Sequence, residues 1–352
     1  MSASTTWSRC PDERRDTLAL TYLADVGTLM YRQLLATFGS ASRALHAGFP
    51  QSVVAGAYAR ADAARIRGEQ RGLTLTTDLD PDYPAALRDL EHPPAVLWRS
   101  GSWEALAGPV VAIVGTRRAT SYGERVTRQI AGALARGGAC IVSGLAIGID
   151  AVAHSAALEA NGATVAVLGT GADIAYPRAH VGLHRTILDR GLVLSELEPG
   201  TRSHARSFPR RNRIIAGLAS ITLVIEAPVH SGALGTAEIA NTLGRPVGVI
   251  PGPIDSPQSA GTNALLCAGA HPITCADDAL ALAGLSPQQR AEPRLEDEGE
   301  RRVWDALAAA AGSLDELCTR AALPVQRCLA AVTALELRGA IDCALTGEIR
   351  RR

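Results

Sequence analysis

Five arginines stand close together in Thr201–Arg213, which reads Thr-Arg-Ser-His-Ala-Arg-Ser-Phe-Pro-Arg-Arg-Asn-Arg, and no acidic residue occurs from Pro199 to Ile225. The chain as a whole is neutral, with 35 basic residues against 35 acidic ones. The stretch is therefore a local basic patch. Phe208, one of three Phe in the protein, lies inside it. Cationic side chains suit phosphates and a flat ring suits an unpaired base, which together are the needs of single-stranded nucleic acid. Phe208, Arg210, Arg211, Asn212 and Arg213 are the candidates here.

A second set sits where apolar runs stop. Val-Val-Ala-Ile-Val-Gly (110–115) is followed by Thr116 and Arg117. Further runs end at Ser143 and Gly144, at Gly169, Thr170 and Gly171, and at Ser195. Small residues allow close approach of a ligand, and hydroxyls and amides suit phosphate. Ser231 and Gly232 open a helix whose first N–H groups suit another phosphate. The helix after residue 123 offers a second such positive end.

Other chemistries are not supported. A single glycine, Gly115, follows the first long strand, so the Gly-x-Gly-x-x-Gly turn of a dinucleotide site is missing. The histidines are scattered and no Ser-His-Asp or Cys-His arrangement is legible. Seven cysteines occur without a Cys-x-x-Cys pair, the pattern of reduced interior thiols. No cofactor and no metal is expected.

These residues need a frame. Apolar, mostly β-branched runs at 110–114, 139–143, 164–168, 191–195, 221–226 and 246–250 alternate with segments of helical period. Such alternation predicts an α/β fold with a doubly wound (Rossmann-like) parallel sheet of about six strands. Ligands of such folds bind at the carboxyl ends of the strands. Residues 73–80 and 95–99 read as a short strand and an edge strand.

The flanks differ. Residues 1–10 read as a disordered tail, and residues 14–71 are Ala-rich and helical, of a helix-hairpin-helix type. Residues 286–300 are polar and charged, a linker. Three helical patterns and a hairpin over 301–352 predict a winged helix, suited to DNA or to protein. The domains expected are 1–75, 76–285 and 301–352. No apolar run reaches the ~18 residues of a membrane span and no signal peptide is legible, which predicts a soluble, intracellular protein.

Several motifs resemble one family. Val111-Ala-Ile-Val-Gly-Thr-Arg117, Ile141-Val-Ser-Gly-Leu-Ala-Ile-Gly-Ile-Asp-Ala-Val-Ala-His154, Ala166-Val-Leu-Gly-Thr-Gly171, Tyr176-Pro-Arg178 and Phe208-Pro-Arg-Arg-Asn-Arg-Ile-Ile-Ala-Gly217 are similar to the DNA-processing protein A family (DprA, also called Smf). So are Glu226, Ser231-Gly232 and Pro251-Gly252 through Ser259-Ala-Gly-Thr-Asn263. The resemblance implies a cytoplasmic homodimer that binds single-stranded DNA in natural transformation, protects incoming strands, loads the RecA recombinase and catalyses nothing. It implies phosphate contacts at Thr116 with Arg117, Gly169–Gly171, Arg211–Arg213 and Ser231-Gly232, and a base stacked on Phe208.

One segment departs from that pattern. The family usually reads Ser-Gly-Ser-Leu-x-Thr-Ala-Arg where this chain has Ser231-Gly-Ala-Leu-Gly-Thr-Ala-Glu238. The altered stretch resembles the Gly-Gly-x-Gly-Thr of the nucleoside-monophosphate phosphoribohydrolases, enzymes on a related fold.

Overall fold

The computed structural model describes residues 11–24, 26–286, 295–344 and 347–351. The tail expected over residues 1–10, and residues 287–294 of the expected linker, lie outside them. The chain divides into two compact units, Met1–Gln288 and Gln289–Arg352.

The centre of the first unit is β3 (Val110–Val114), all five residues of which are buried. Successive side chains of a strand point to opposite faces. Val110, Ala112 and Val114 accordingly enter one core, and Val111 and Ile113 another. Burial on both faces marks a parallel strand inside a layered α/β domain. β3 pairs in parallel with β4 (Cys140–Ser143) on one side and with β7 (Ile221–Val224) on the other. Outward from β4 lie β5 (Thr164–Val167) and β6 (Leu192–Ser195), and outward from β7 lie β8 (Val247–Val249) and β9 (His271–Pro272). These too are parallel.

The sheet has nine strands rather than six. Two of the additional ones, β1 (Thr74–Thr77) and β2 (Val96–Ser100), pair antiparallel to each other, and β2 pairs antiparallel to β6. Strand order reverses at β3, with β4 to one side and β7 to the other. Such a switch point opens a crevice at the carboxyl ends.

Helices cover both faces. α5 (Ser121–Arg136), α6 (Ile149–Glu159) and α11 (Ala276–Leu282) share a core with Val111, Ile141 and Leu223. α8 (Ser207–Leu218) and α9 (Gly232–Thr242) pack on Ala112, Val142 and Val224. α7 (Val181–Arg190) precedes β6, and α10 (Ala260–Cys267) follows β8. The N-terminal helices α1 (Pro11–Thr21), α2 (Thr28–Phe38), α3 (Ala41–Gly48) and α4 (Gln51–Gln70) bury Leu18, Tyr31, Leu45 and Ala61 in one cluster with Trp98 and Val193 of the sheet. α4 lies so close that a Cβ on Gly68 would stand 2.5 Å from the Trp98 ring.

The second unit holds α12 (Glu298–Ala309), α13 (Leu314–Ala321), α14 (Val325–Leu337) and a hairpin of β10 (Ile341–Cys343) and β11 (Ile349–Arg351). Its core is Val303, Leu307, Leu317, Leu335 and Ile341. α12 begins at Glu298, so the linker expected to run to residue 300 ends sooner. Asp297 caps that helix by accepting from the Glu300 N–H at 2.8 Å. On α14, Arg338 pairs with Glu300 and Glu296, while Val325, Leu329 and Leu337 face solvent.

Candidate nucleic-acid interface

The basic stretch runs from a loop, residues 201–206, into a helix start. α8 begins at Ser207, and Pro209 sits in its first turn, where the missing N–H costs nothing. Helical spacing then sends neighbouring arginines in opposite directions. Arg211 falls on the buried stripe with Ile214, Ile215 and Leu218. Arg210 is exposed, 3.4 Å from Glu196. Arg213 bonds Glu196 at 2.5 Å and the carbonyl of His92 at 2.7 Å. Asn212 donates to the Gly232 carbonyl at 3.1 Å, which ties α8 to the start of α9.

Arg211, expected at a phosphate, is instead 6% exposed. Its Nη1 donates to the Val167 carbonyl at 2.8 Å, and its Nε has no partner among the described residues. A Cβ at Gly144 would stand 1.5 Å from Nη1, so any other residue there must displace the guanidinium. Asp150, buried nearby, accepts from the N–H groups of Gly144 at 3.1 Å and Ala146 at 3.4 Å. Burial raises the Asp150 carboxyl against the pull of the Arg211 charge. Burial likewise lowers Arg211, against the pull of Asp150. An arginine keeps its proton through such a shift, so a positive charge is held inside the β4 and β5 ends. It also helps keep His154 neutral: burial first, then Arg211 and His180, push that imidazole down to about 3.

The strand-end hydroxyls are spent on the protein itself. Thr116 Oγ1 donates to Gln258 at 2.9 Å and accepts from the Arg118 N–H at 3.1 Å. Ser143 donates to the Ile113 carbonyl at 2.6 Å, Thr170 to Ile174 at 2.7 Å, and Ser195 to the Thr170 carbonyl at 2.5 Å. Gly171 N–H donates to Thr201 at 2.8 Å and Ser231 N–H to Pro228 at 3.0 Å. Ser231 caps α9, accepting from Ala233 N–H at 3.3 Å.

The α5 N-terminus, expected to await an outside anion, already holds one. Glu226, 2% exposed, accepts from Thr120 N–H at 2.9 Å and Thr120 Oγ1 at 2.5 Å. A Cβ on Gly123 would lie 2.2 Å from that carboxylate. The helix dipole stabilises the charge.

What remains facing solvent is compact. Arg117 is exposed, and its guanidinium carbon lies 5.1 Å from the centre of the Phe208 ring. Phe208 is half-buried, with Tyr176 tilted 40° against it at 5.4 Å. A Cβ on Gly169 would touch the same ring at 3.0 Å. The Arg117 backbone rests on Gly148, where a Cβ would stand 3.0 Å from its carbonyl carbon. Gly148 also has φ of +86°, a conformation that favours glycine. The rim thus joins Arg117, Phe208, Tyr176 and Gly169 directly, and Gly232 through Asn212. Glu238, the residue a hydrolase would use, is exposed on α9. Sequence reading named Glu226 and Tyr176 only within family motifs and missed the role of Gln258, the Glu226 bond to Thr120 and the packing of Tyr176 on Phe208. All three partnerships span distant parts of the chain, where no local pattern signals them.

Residues 74–284 match the family model for DNA recombination-mediator protein A, and residues 286–344 that of the DprA winged helix domain. The chain belongs to the DprA/Smf family. It is 39% identical over 295 residues to the putative DNA processing protein DprA of Mycobacterium tuberculosis, covering 78% of this chain and 76% of that one. It is 37% identical over 285 residues to Smf of Escherichia coli, at 77% and 75% coverage. The crystal structure of DprA from Streptococcus pneumoniae superposes with a TM-score of 0.68 at 34% identity, covering 76% of this chain and 97% of that one. DprA from Helicobacter pylori, solved for its single-stranded DNA binding mode, gives 0.52 at 33% identity and covers 58% and 92%. The DprA model spans the whole rim, from Thr116 to Gly232. Among the described residues no helix is long and apolar enough to cross a membrane.

Proposed function

We propose that this DprA-family chain binds single-stranded DNA along the carboxyl edge of its sheet. The observation that carries the reading is the exposed Arg117 guanidinium beside the Phe208 ring, a charge for a phosphate next to a flat apolar surface. Arg210 and the turn at Ser231–Gly232 extend the phosphate track, while Gly169 and Thr170 are buried beneath it. Arg211 and Arg213 support it from within. The family resemblance adds the wider role: a cytoplasmic homodimer that protects incoming strands and loads RecA during natural transformation, without catalysis.

Titration of the full chain with an oligothymidylate and with duplex DNA, each at two salt concentrations, tests the reading. Tighter binding of the single strand, weakening with salt, supports it. Equal affinity for duplex, or no salt dependence, sinks it. Light scattering that shows a monomer at micromolar concentration removes the dimer. RecA assembly on the coated strand no faster than on strand coated by an unrelated binding protein removes the loading role. Release of adenine from AMP, lost in Glu238→Ala, would place the chain with the phosphoribohydrolases instead.

A further inference from the structure

Among the described residues, Tyr176 is the only Phe, Tyr or Trp that is exposed. Its relative exposure is 42%, large for a ring in an otherwise packed α/β domain. No hydrogen bond among the described residues holds its hydroxyl. It lies just past the β5 end, on the rim that carries Arg117. Ile147 and Val181, exposed at 51% and 55%, stand in the turn after β4 and at the start of α7.

The ring sequence reasoning chose, Phe208, is poorly placed to receive a base by itself. Arg117 stands over it, Tyr176 leans against it, and Gly169 closes on its edge. A base reaching Phe208 must first displace one of these neighbours. The solvent side of Tyr176 needs no displacement. An aromatic ring backed by a second ring and an adjacent cation is an apolar surface held in one orientation. Base stacking on such a surface tolerates any sequence, because every base has a π-face.

We propose that Tyr176 is the stacking platform of this site: a nucleobase lies on its exposed face, Phe208 supports the ring from inside, and Arg117 binds the adjoining phosphate. The inference rests on the single-strand reading above and names the group that meets the base.

The test compares the full-length wild type with Tyr176→Ala, Tyr176→Leu and Tyr176→Phe. Each is titrated with an oligothymidylate and with an abasic strand of the same length, which keeps the phosphates and lacks the bases. Tyr176→Ala and Tyr176→Leu are expected to bind oligothymidylate about 5- to 150-fold more weakly. Both should bind the abasic strand as the wild type does, with the same salt slope. Tyr176→Phe should bind both like the wild type, since the ring and not the hydroxyl is used. Melting temperatures identify a variant that fails to fold, and Tyr176→Leu keeps the apolar bulk if Tyr176→Ala does not fold. Unchanged oligothymidylate binding in the folded variants overturns this inference and leaves the single-strand reading standing. Equal loss on both strands assigns Tyr176 a structural role and overturns it too. Wild-type protein that shows no salt-dependent binding to either strand overturns the single-strand reading, and this inference with it.

Discussion

The Arg117 guanidinium stands over the Phe208 ring, with 5.1 Å between the guanidinium carbon and the ring centre. Charge and ring are thus one unit rather than two independent contacts. Arg117→Ala should weaken single-strand binding and reduce the salt slope by about 0.7, the value for one phosphate contact. Phe208→Ala should weaken binding and leave the slope unchanged. The double variant should lose less than the sum, by about 0.5–1 kcal/mol, the scale of a cation–π contact. Titrations at several salt concentrations measure all three, and strict additivity would show that ring and guanidinium act separately.

Arg211 is expected to report on stability first. Arg211→Ala removes the buried positive charge near Asp150 and the bond to the Val167 carbonyl, at a cost of about 1–3 kcal/mol. Asp150→Asn added to Arg211→Met should restore part of that loss, since no unpaired charge then remains. Gly144→Ala should be comparably harmful, because its Cβ occupies the guanidinium position. Thermal melts decide the matter. An Arg211→Ala protein as stable as the wild type would return that arginine to the phosphate contacts.

Glu226 is expected to serve the α5 N-terminus rather than a ligand. Thr120→Ala removes both the cap and a carboxylate partner, a loss of about 1–2 kcal/mol. Glu226→Gln should cost about 1–3 kcal/mol. Urea titration reads both. If Glu226→Gln alters the salt slope of DNA binding at unchanged stability, the carboxylate belongs to the interface.

A pH dependence follows from Asp78. Burial raises its carboxyl from 3.8 to about 6, and the Tyr31 hydroxyl, donating at 2.7 Å, only partly opposes this. The folded state therefore binds the proton more tightly than the unfolded chain. The stabilisation from protonation is complete below the unfolded value near 4 and is lost as pH rises through about 6. Asp78→Asn, neutral throughout, should be more stable than the wild type by about 3 kcal/mol above neutrality. The gain should vanish at about pH 4. Melting curves at the two pH values test this, and a gain that is the same at both would assign it to something other than ionisation.

The central strands were legible because a parallel strand buried on both faces leaves an unbroken apolar run, as Val110–Val114 does. The antiparallel partners β1 and β2 were legible only as short strands. The pairing of β2 with β6 sets Trp98 opposite Ser195, a register that no local pattern encodes. Of the site, the cluster of arginines was visible but its directions were not. Pro209 hides the start of α8 from a local pattern, although proline is at home in a first helical turn. Once α8 starts at Ser207, the spacing Arg211, Ile214, Ile215, Leu218 marks Arg211 as inward. Gly144, a residue with no side chain beside that guanidinium, was the other trace of it. Tyr176 was visible only as part of a family motif, because its contact with Phe208 joins the segment after β5 to the start of α8.

The strand-end hydroxyls that bond to neighbouring strands and loops of the protein have a kinetic meaning. Thr116, Ser143, Thr170 and Ser195 each hold a turn of the rim in place before any ligand arrives. The ordering entropy of those turns is met during folding. Docking then asks the nucleic acid, not the protein, to give up its freedom, and a rigid face meeting a pliable strand can associate in one step without waiting for a loop to close.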